Sequence, residues 1–143
     1  MKASETLEEY IRFFNTLEQG LNNGALERLT HANMRFSDPF NDVQGREQVT
    51  AVLTHFVKQV KAPHFNVLHI AWDQQVCLLR WDFSGELPKI GQWSFPGVSE
   101  IHFNDEGLIT LHQDHWDASQ FFYQKLPIIG PVLRWIRKQA QPA

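Results

Sequence analysis

The sequence predicts an α+β fold, with helices on one face of an antiparallel sheet that can curl around them to leave a cone-shaped cavity, and a C-terminal helix after it. Three observations predict it. Apolar residues recur at helical spacing up to Val60, the texture changes to alternation between His64 and Asp117, and helical spacing returns after Ala118. A sheet curled around helices leaves a concave space between the two layers, the usual setting for a ligand.

Each element has its own signal. From Glu5 to Gln19, Leu7, Tyr10, Phe14 and Leu17 fall on one helical face with Ile11 beside them, and Thr6 and Glu9 have capping-box spacing. A loop, "GLNNG", leads to a short second helix carrying Leu26 and Leu29. "NMRFSD" reads as a short strand stopped by Pro39. After Gly45, Val49, Val52, Leu53, Phe56 and Val60 define a third helix, ended by Pro63. "HFNVLHIAW", "QVCLLRWDF", "GQWSFPGVSEIHF" and "GLITLHQDHWD" read as four antiparallel strands. "DQQ" and "NDEG" form tight connections, "GELPKIG" a longer one, and Pro96-Gly97 predicts a bulge. The tail from Ala118 to Gln139 is helical, broken around Pro127 and Gly130-Pro131. Its apolar Ile128, Ile129, Val132, Leu133 and Ile136 are expected to pack on the domain while Arg134, Arg137 and Lys138 are solvated; a membrane-surface helix is the other reading.

The length suits one domain spanning residues 1–143. Apolar residues at 43% and charged residues at 20% are those of a soluble globular chain, and a net charge of −3 gives no basic field for nucleic acid. Cys77 is the single cysteine, in an apolar run, and predicts a buried, inert thiol. With a charged N-terminus lacking an apolar signal core, and no run long enough to span a bilayer, a cytoplasmic location without an integral membrane segment is expected.

The chemistry-bearing residues concentrate in "RWD" and "LHQDHWD". Strand alternation puts Arg80 and Asp82 on one side and Leu79, Trp81 and Phe83 on the other; His112, Asp114 and Trp116 share a side opposite Gln113, His115 and Asp117. If the Arg80 and Asp114 sides both face the cone, the cavity holds one arginine and up to three carboxylates, Asp38, Asp82 and Asp114, with His112 near the rim. Clustered carboxylates in a dry pocket push their pKa values apart and divide the roles of acid and base, with Arg80 orienting them. The structural alternative is an Arg80 ion pair that holds the sheet together. His112 and Asp114 are only two ligands on one side, so no metal is expected. Neither a serine-nucleophile elbow nor a glycine-rich phosphate loop is present, and no cofactor is expected.

The element order, with "FSDPFNDVQG", "FNDEGLI" and "QDHWD", resembles the nuclear transport factor 2-like superfamily, and within it the SnoaL-like branch. The resemblance implies a cone-shaped curved antiparallel sheet wrapped around the N-terminal helices, with a C-terminal helix, a pocket for a small hydrophobic molecule, and a homodimer. Ketosteroid isomerases of that superfamily use an Asp-Pro aspartate as base, which matches Asp38. Their oxyanion-hole positions fall on Phe14 and Ser99, with Tyr10 one turn from Phe14. Limonene-epoxide hydrolases use an Asp-Arg-Asp trio that looks similar to Arg80, Asp82 and Asp114, but their water-holding tyrosine and asparagine fall on Phe36 and Asp38. The resemblance therefore implies Asp38, Arg80, Asp82 and Asp114 as candidate catalytic residues and Phe14, Phe36, Phe40, Ser99, His112 and Trp116 as candidate lining. Isomerase or cyclase chemistry, epoxide hydrolysis, and a non-catalytic binding or dimeric interaction module all remain open.

Overall fold

The computed structural model describes residues 2–142. Helix α1 (Ala3–Asn15) buries Leu7, Tyr10 and Phe13. The expected single helix breaks at Thr16, whose hydroxyl bonds back to the Arg12 carbonyl at 2.7 Å, and α2 (Leu17–Asn22) and α3 (Ala25–Leu29) follow. The capping box is not formed. Thr6 lies inside the helix, buried, with its hydroxyl on the Lys2 carbonyl at 3.2 Å.

Strand β1 (Thr30–Ser37) turns through "DPFN" into a three-residue strand, β2 (Asp42–Gln44), which the sequence reading did not foresee. Helix α4 (Arg46–Gln59) sets Val49 and Leu53 against the core. It ends at Gln59, and Pro63 sits within β3 (Lys61–Asp73), an edge strand where a missing N–H is tolerated. β4 (Val76–Leu87), β5 (Gly91–Phe103) and β6 (Ile109–His115) complete a six-stranded, curved, open sheet ordered β2-β1-β6-β5-β4-β3. The four long strands from β3 to β6 are antiparallel neighbours, as expected. β1 instead runs parallel to β6, with Phe36 opposite His112 and Ser37 opposite Gln113.

Alternation along β4 decides which side chains enter the core. Cys77, Leu79, Trp81 and Phe83 are buried, while Leu78 and Asp82 are exposed. On β5 the inner set is Trp93, Phe95, Gly97, Ser99, Ile101 and Phe103. The bulge expected at Pro96-Gly97 is absent: Asp82 pairs with Pro96 and Trp81 with Gly97 without interruption. Gly97 has a packing reason instead, since a Cβ there would clash with the six-membered ring of Trp81. The register shifts occur on β3 between Lys61 and His64 and between Val67 and His69, on β1 against β6 between Thr30 and Arg35, and on β6 at Thr110, the extra residue opposite His102 and Phe103 of β5. Burial pushes the Cys77 thiol up to about 11, so it stays protonated and unreactive at neutral pH.

Beyond β6, Asp117 caps the short helix α5 (Ala118–Phe121) by accepting from the Gln120 N–H at 2.9 Å. A 3-10 turn (Tyr123–Lys125) leads to α6 (Ile129–Gln139). The apolar face of α6 does not pack on the domain as expected. Ile128, Ile129, Val132, Trp135 and Ile136 are exposed and only Leu133 is half-buried, while Arg134, Arg137 and Lys138 are exposed as expected; the helix meets the body at Gly130 and through the Arg134 hydrogen bond.

Candidate functional site

Between α4 and the inner face of the sheet lies a cavity of about 760 Å³. Phe14 of α1, Phe36 of β1 and Phe56 of α4 face Trp81, Phe83, Trp93 and Phe95 of the sheet across it. Phe40, Trp116, Phe122 and Leu126 form a wall where the C-terminal segment returns. That wall is held by aromatic packing, with Phe95 stacked on Trp116 at 4.0 Å and Phe40 against Phe122 at 5.0 Å. Trp93 Nε1–H also donates to the Phe121 carbonyl at 2.6 Å. The surface of this cavity is therefore mostly aromatic and apolar.

Two carboxylates interrupt it, Asp38 and Asp114. The parallel β1–β6 register explains why they meet. Ser37 lies opposite Gln113, and one residue further on Asp38 comes level with Asp114 on the inner side.

Asp114 is the front of a buried polar chain. Its Oδ1 accepts from Ser99 Oγ–H at 2.5 Å and lies 2.7 Å from His112 Nε2, and Ser99 Oγ in turn accepts from Trp81 Nε1–H at 2.9 Å. His112 Nδ1 is 2.8 Å from the Tyr10 hydroxyl. One arrangement satisfies every group: Tyr10 O–H donates to Nδ1, and Nε2–H donates to Asp114. Burial first, and then the charge of Asp114, push the Tyr10 phenol well above its ordinary value, which keeps its proton in place. Among the described residues Asp114 Oδ2 has no protein partner, so it is the oxygen available to a guest.

Asp38 is held differently. Its Oδ1 accepts from the N–H groups of Phe40 and Asn41, at 2.8 and 2.7 Å, and from Asn41 Nδ2 at 3.1 Å. Burial raises its pKa above the ordinary value and the charge of Asp114 adds to the rise, while the hydrogen bonds from Phe40 and Asn41 oppose it. With Oδ1 engaged, a proton on Asp38 sits on Oδ2. The two carboxyl groups thus present one free oxygen each to the same cavity.

The remaining candidates separate. Phe14, Phe36, Phe40 and Trp116 line the cavity. Ser99 and His112 do not; they line a smaller recess behind Asp114, and His112 is 5% exposed rather than near the rim. Arg80 and Asp82 lie on the outer face of the sheet, because Trp81 between them points inward. They pair with each other at 3.1 Å, with side chains 38% and 55% exposed, and the trio of Arg80, Asp82 and Asp114 is not assembled. Sequence reading missed the donor Asn41, the position of Tyr10 behind His112, and Lys89, which enters the cavity wall from the β4–β5 connection. "DPFN" carried a signal for Asn41, since an aspartate two or three residues before free N–H groups commonly caps a turn. Among the described residues no three His, Cys, Asp or Glu side chains converge as metal ligands.

The sheet curved over N-terminal helices, with a cavity on its inner side, defines the nuclear transport factor 2-like class of fold. The chain belongs to the SnoaL-like domain family, whose model matches residues 8–112. Solved structures agree on the fold. A Catenulispora acidiphila protein of ketosteroid isomerase-like fold, in complex with trimethylamine, superposes with a TM-score of 0.72 at 19% identity, over 86% of this chain and 94% of that one. An epoxide hydrolase from M. tuberculosis, similar to the limonene-epoxide type, gives 0.69 at 14% identity over 99% and 94%. A putative polyketide cyclase from Xanthomonas campestris gives 0.72 at 12% identity over 86% and 96%. No curated protein matches the chain in sequence. Among the described residues no helix is long and apolar enough to cross a membrane.

Proposed function

We propose that the cavity binds a small, largely apolar carbonyl compound and moves a proton at a carbon beside the carbonyl, as isomerases and cyclases do. The observation that supports this most is the pairing of Asp38 and Asp114 across one aromatic cavity, each with a single oxygen left free. Asp114 Oδ2 takes the C–H proton. Its Oδ1 is fixed by Ser99 and by His112, and His112 is fixed in turn by Tyr10. Asp38, whose pKa burial raises, is the proton donor in this reading, giving its proton from Oδ2 to the carbonyl oxygen as negative charge develops there. The products of the step are an enol, a neutral Asp114 and an ionised Asp38. Return of the proton to the same or another carbon completes exchange or isomerisation. This reverses the role that the isomerase resemblance gives Asp38, following the upward direction of its pKa.

The test is deuterium uptake from D2O into 2-tetralone and related apolar ketones, followed by NMR. Wild-type protein should accelerate uptake, and Asp114→Asn should reduce the acceleration by about 10²-fold or more, the usual weight of a positioned base. Exchange that survives both Asp114→Asn and Asp38→Asn would overturn the assignment. Saturable ketone binding without any acceleration would favour a non-catalytic carrier.

A further inference from the structure

The charge of the chain is unevenly divided. Before Ala118 nine Lys and Arg stand against sixteen Asp and Glu, a net of −7; from Ala118 onward there are four cations and no acidic residue. Those four are Lys125, Arg134, Arg137 and Lys138, on the 3-10 turn and α6. On α6, Ile129, Val132, Leu133 and Ile136 follow the i, i+3, i+4, i+7 spacing of one face, with Trp135 beside them. Arg134, Arg137 and Lys138 take the other side.

The helix meets the protein at Gly130, the only residue of α6 that is buried, while Arg134, Arg137 and Lys138 are exposed as expected. Gly130 is buried so tightly that a Cβ would meet the Gln124 carbonyl at 2.5 Å, and Arg134 donates to that same carbonyl. A tight turn at Ile128 (φ 70), with the Ile129 N–H on the Pro127 carbonyl at 2.8 Å, throws Ile128 outward to 89% exposure. Trp135 is 63% exposed and Ile136 53%. A surface helix of a globular domain turns its apolar stripe inward; this one leaves Ile129, Val132, Trp135 and Ile136 exposed, with only Leu133 half-buried, on a cationic segment.

We infer that α6 is a docking helix for the surface of an anionic phospholipid bilayer, with Ile128, Ile129, Val132, Trp135 and Ile136 entering the headgroup boundary. Charge complementarity selects this occupant. The cations of the segment are drawn to an anionic surface, and their long stems let Arg137 and Lys138 reach headgroups around the apolar strip. The acidic body is repelled, so the protein stands on the membrane through this helix alone. A second copy fits less well. The outward face of an 11-residue helix, about 16 Å long and 10 Å across, offers a few hundred Å², well short of the roughly 800 Å² per partner of a stable interface. Leu126 and Phe122, just before α6, line the cavity wall, so docking would bring the cavity toward the lipid. Delivery of an apolar substrate from the bilayer rests on the proposed function; docking itself does not.

The experiment is co-sedimentation of the full chain with vesicles of phosphatidylcholine alone and of phosphatidylcholine containing about one third phosphatidylglycerol. Wild-type protein should bind the anionic vesicles and release in high salt. Arg137→Glu with Lys138→Glu should weaken binding about thirty-fold or more, the effect of two cations at an anionic surface. Trp135→Ser with Ile136→Ser should abolish binding with thermal stability unchanged, because both side chains are exposed. Ketone exchange without vesicles should also be unchanged in that variant, which separates failure of docking from failure of the chemistry. Equal binding of both vesicle types by wild type and variants, or no binding at all, would overturn the inference. So would a wild-type dimer that the Trp135→Ser, Ile136→Ser variant converts to monomer.

Discussion

The two faces of the sheet carry similar residues and use them differently. On the inner face, Asp114 and His112 are 13% and 5% exposed and every polar atom behind them is bonded to another protein group. On the outer face, Arg80 and Asp82 form an ion pair with both side chains well exposed. Charge alone therefore does not mark the site. Enclosure does, because a carboxylate in a low-dielectric cavity feels its neighbours while one in water is screened from them. Substitutions of matched chemistry on the two faces should give unmatched results.

The largest contrast concerns proton transfer. Asp114→Asn should lower ketone exchange by about 10²-fold or more, whereas Arg80→Gln and Asp82→Asn should stay within about twofold of wild type. Similar losses from both faces would erase the distinction, and would return Arg80 to the site. Next in size is the support behind Asp114. Tyr10→Phe removes the donor to His112 Nδ1 and leaves a buried acceptor unmade, which costs about 1–3 kcal/mol in denaturant unfolding. Breaking Arg80–Asp82 should cost about 0–1 kcal/mol by the same measurement. Gly97→Ala forces the Trp81 indole aside and should destabilise by about 1–3 kcal/mol, with loss of the ordered Trp81–Ser99 contact seen as a shifted indole N–H resonance.

The smallest effect is in the pH dependence of stability. Asp38 binds its proton more tightly folded than unfolded, because its folded pKa is raised above the ordinary 3.8. Its contribution to stability is fully present below that value and is lost as pH rises through the raised one. Asp42, paired with Arg35 on the surface, has the opposite sign. Its pKa is lowered by the hydrogen bonds from Arg35, so its contribution is present above 3.8 and is lost as pH falls through the lowered value. The difference in unfolding free energy between wild type and variant should fall with rising pH for Asp38→Asn and rise with it for Asp42→Asn.

Most of the fold was legible because periodicity is a local property. The four long strands, α4 and the C-terminal helix all stand where apolar spacing put them. The break at Thr16 and strand β2 were not legible, since a backbone-bonded threonine and three paired residues leave no periodic trace. The site was half legible. Alternation correctly kept His112, Asp114 and Trp116 together and apart from Gln113, His115 and Asp117, but it could not say which side of β4 joined them. Trp81 could have settled that, since a tryptophan flanked by Arg80 and Asp82 takes the buried side and sends its neighbours to water. The meeting of Asp38 with Asp114 depends on a parallel pairing of strands far apart in sequence, which a single strand does not encode. The tail misled for a physical reason: its amphipathic spacing is real, but spacing does not say which side faces the protein, and the helix meets the body at Gly130.

The central claim, that Asp38 and Asp114 act on each other across one cavity, is tested most directly by NMR titration of the Asp38 carboxyl carbon. The wild-type protein should titrate above the ordinary 3.8, Asp114→Asn should bring the midpoint down, and Asp82→Asn should leave it in place. An Asp38 midpoint that ignores Asp114→Asn, or moves as much with Asp82→Asn, would contradict the account.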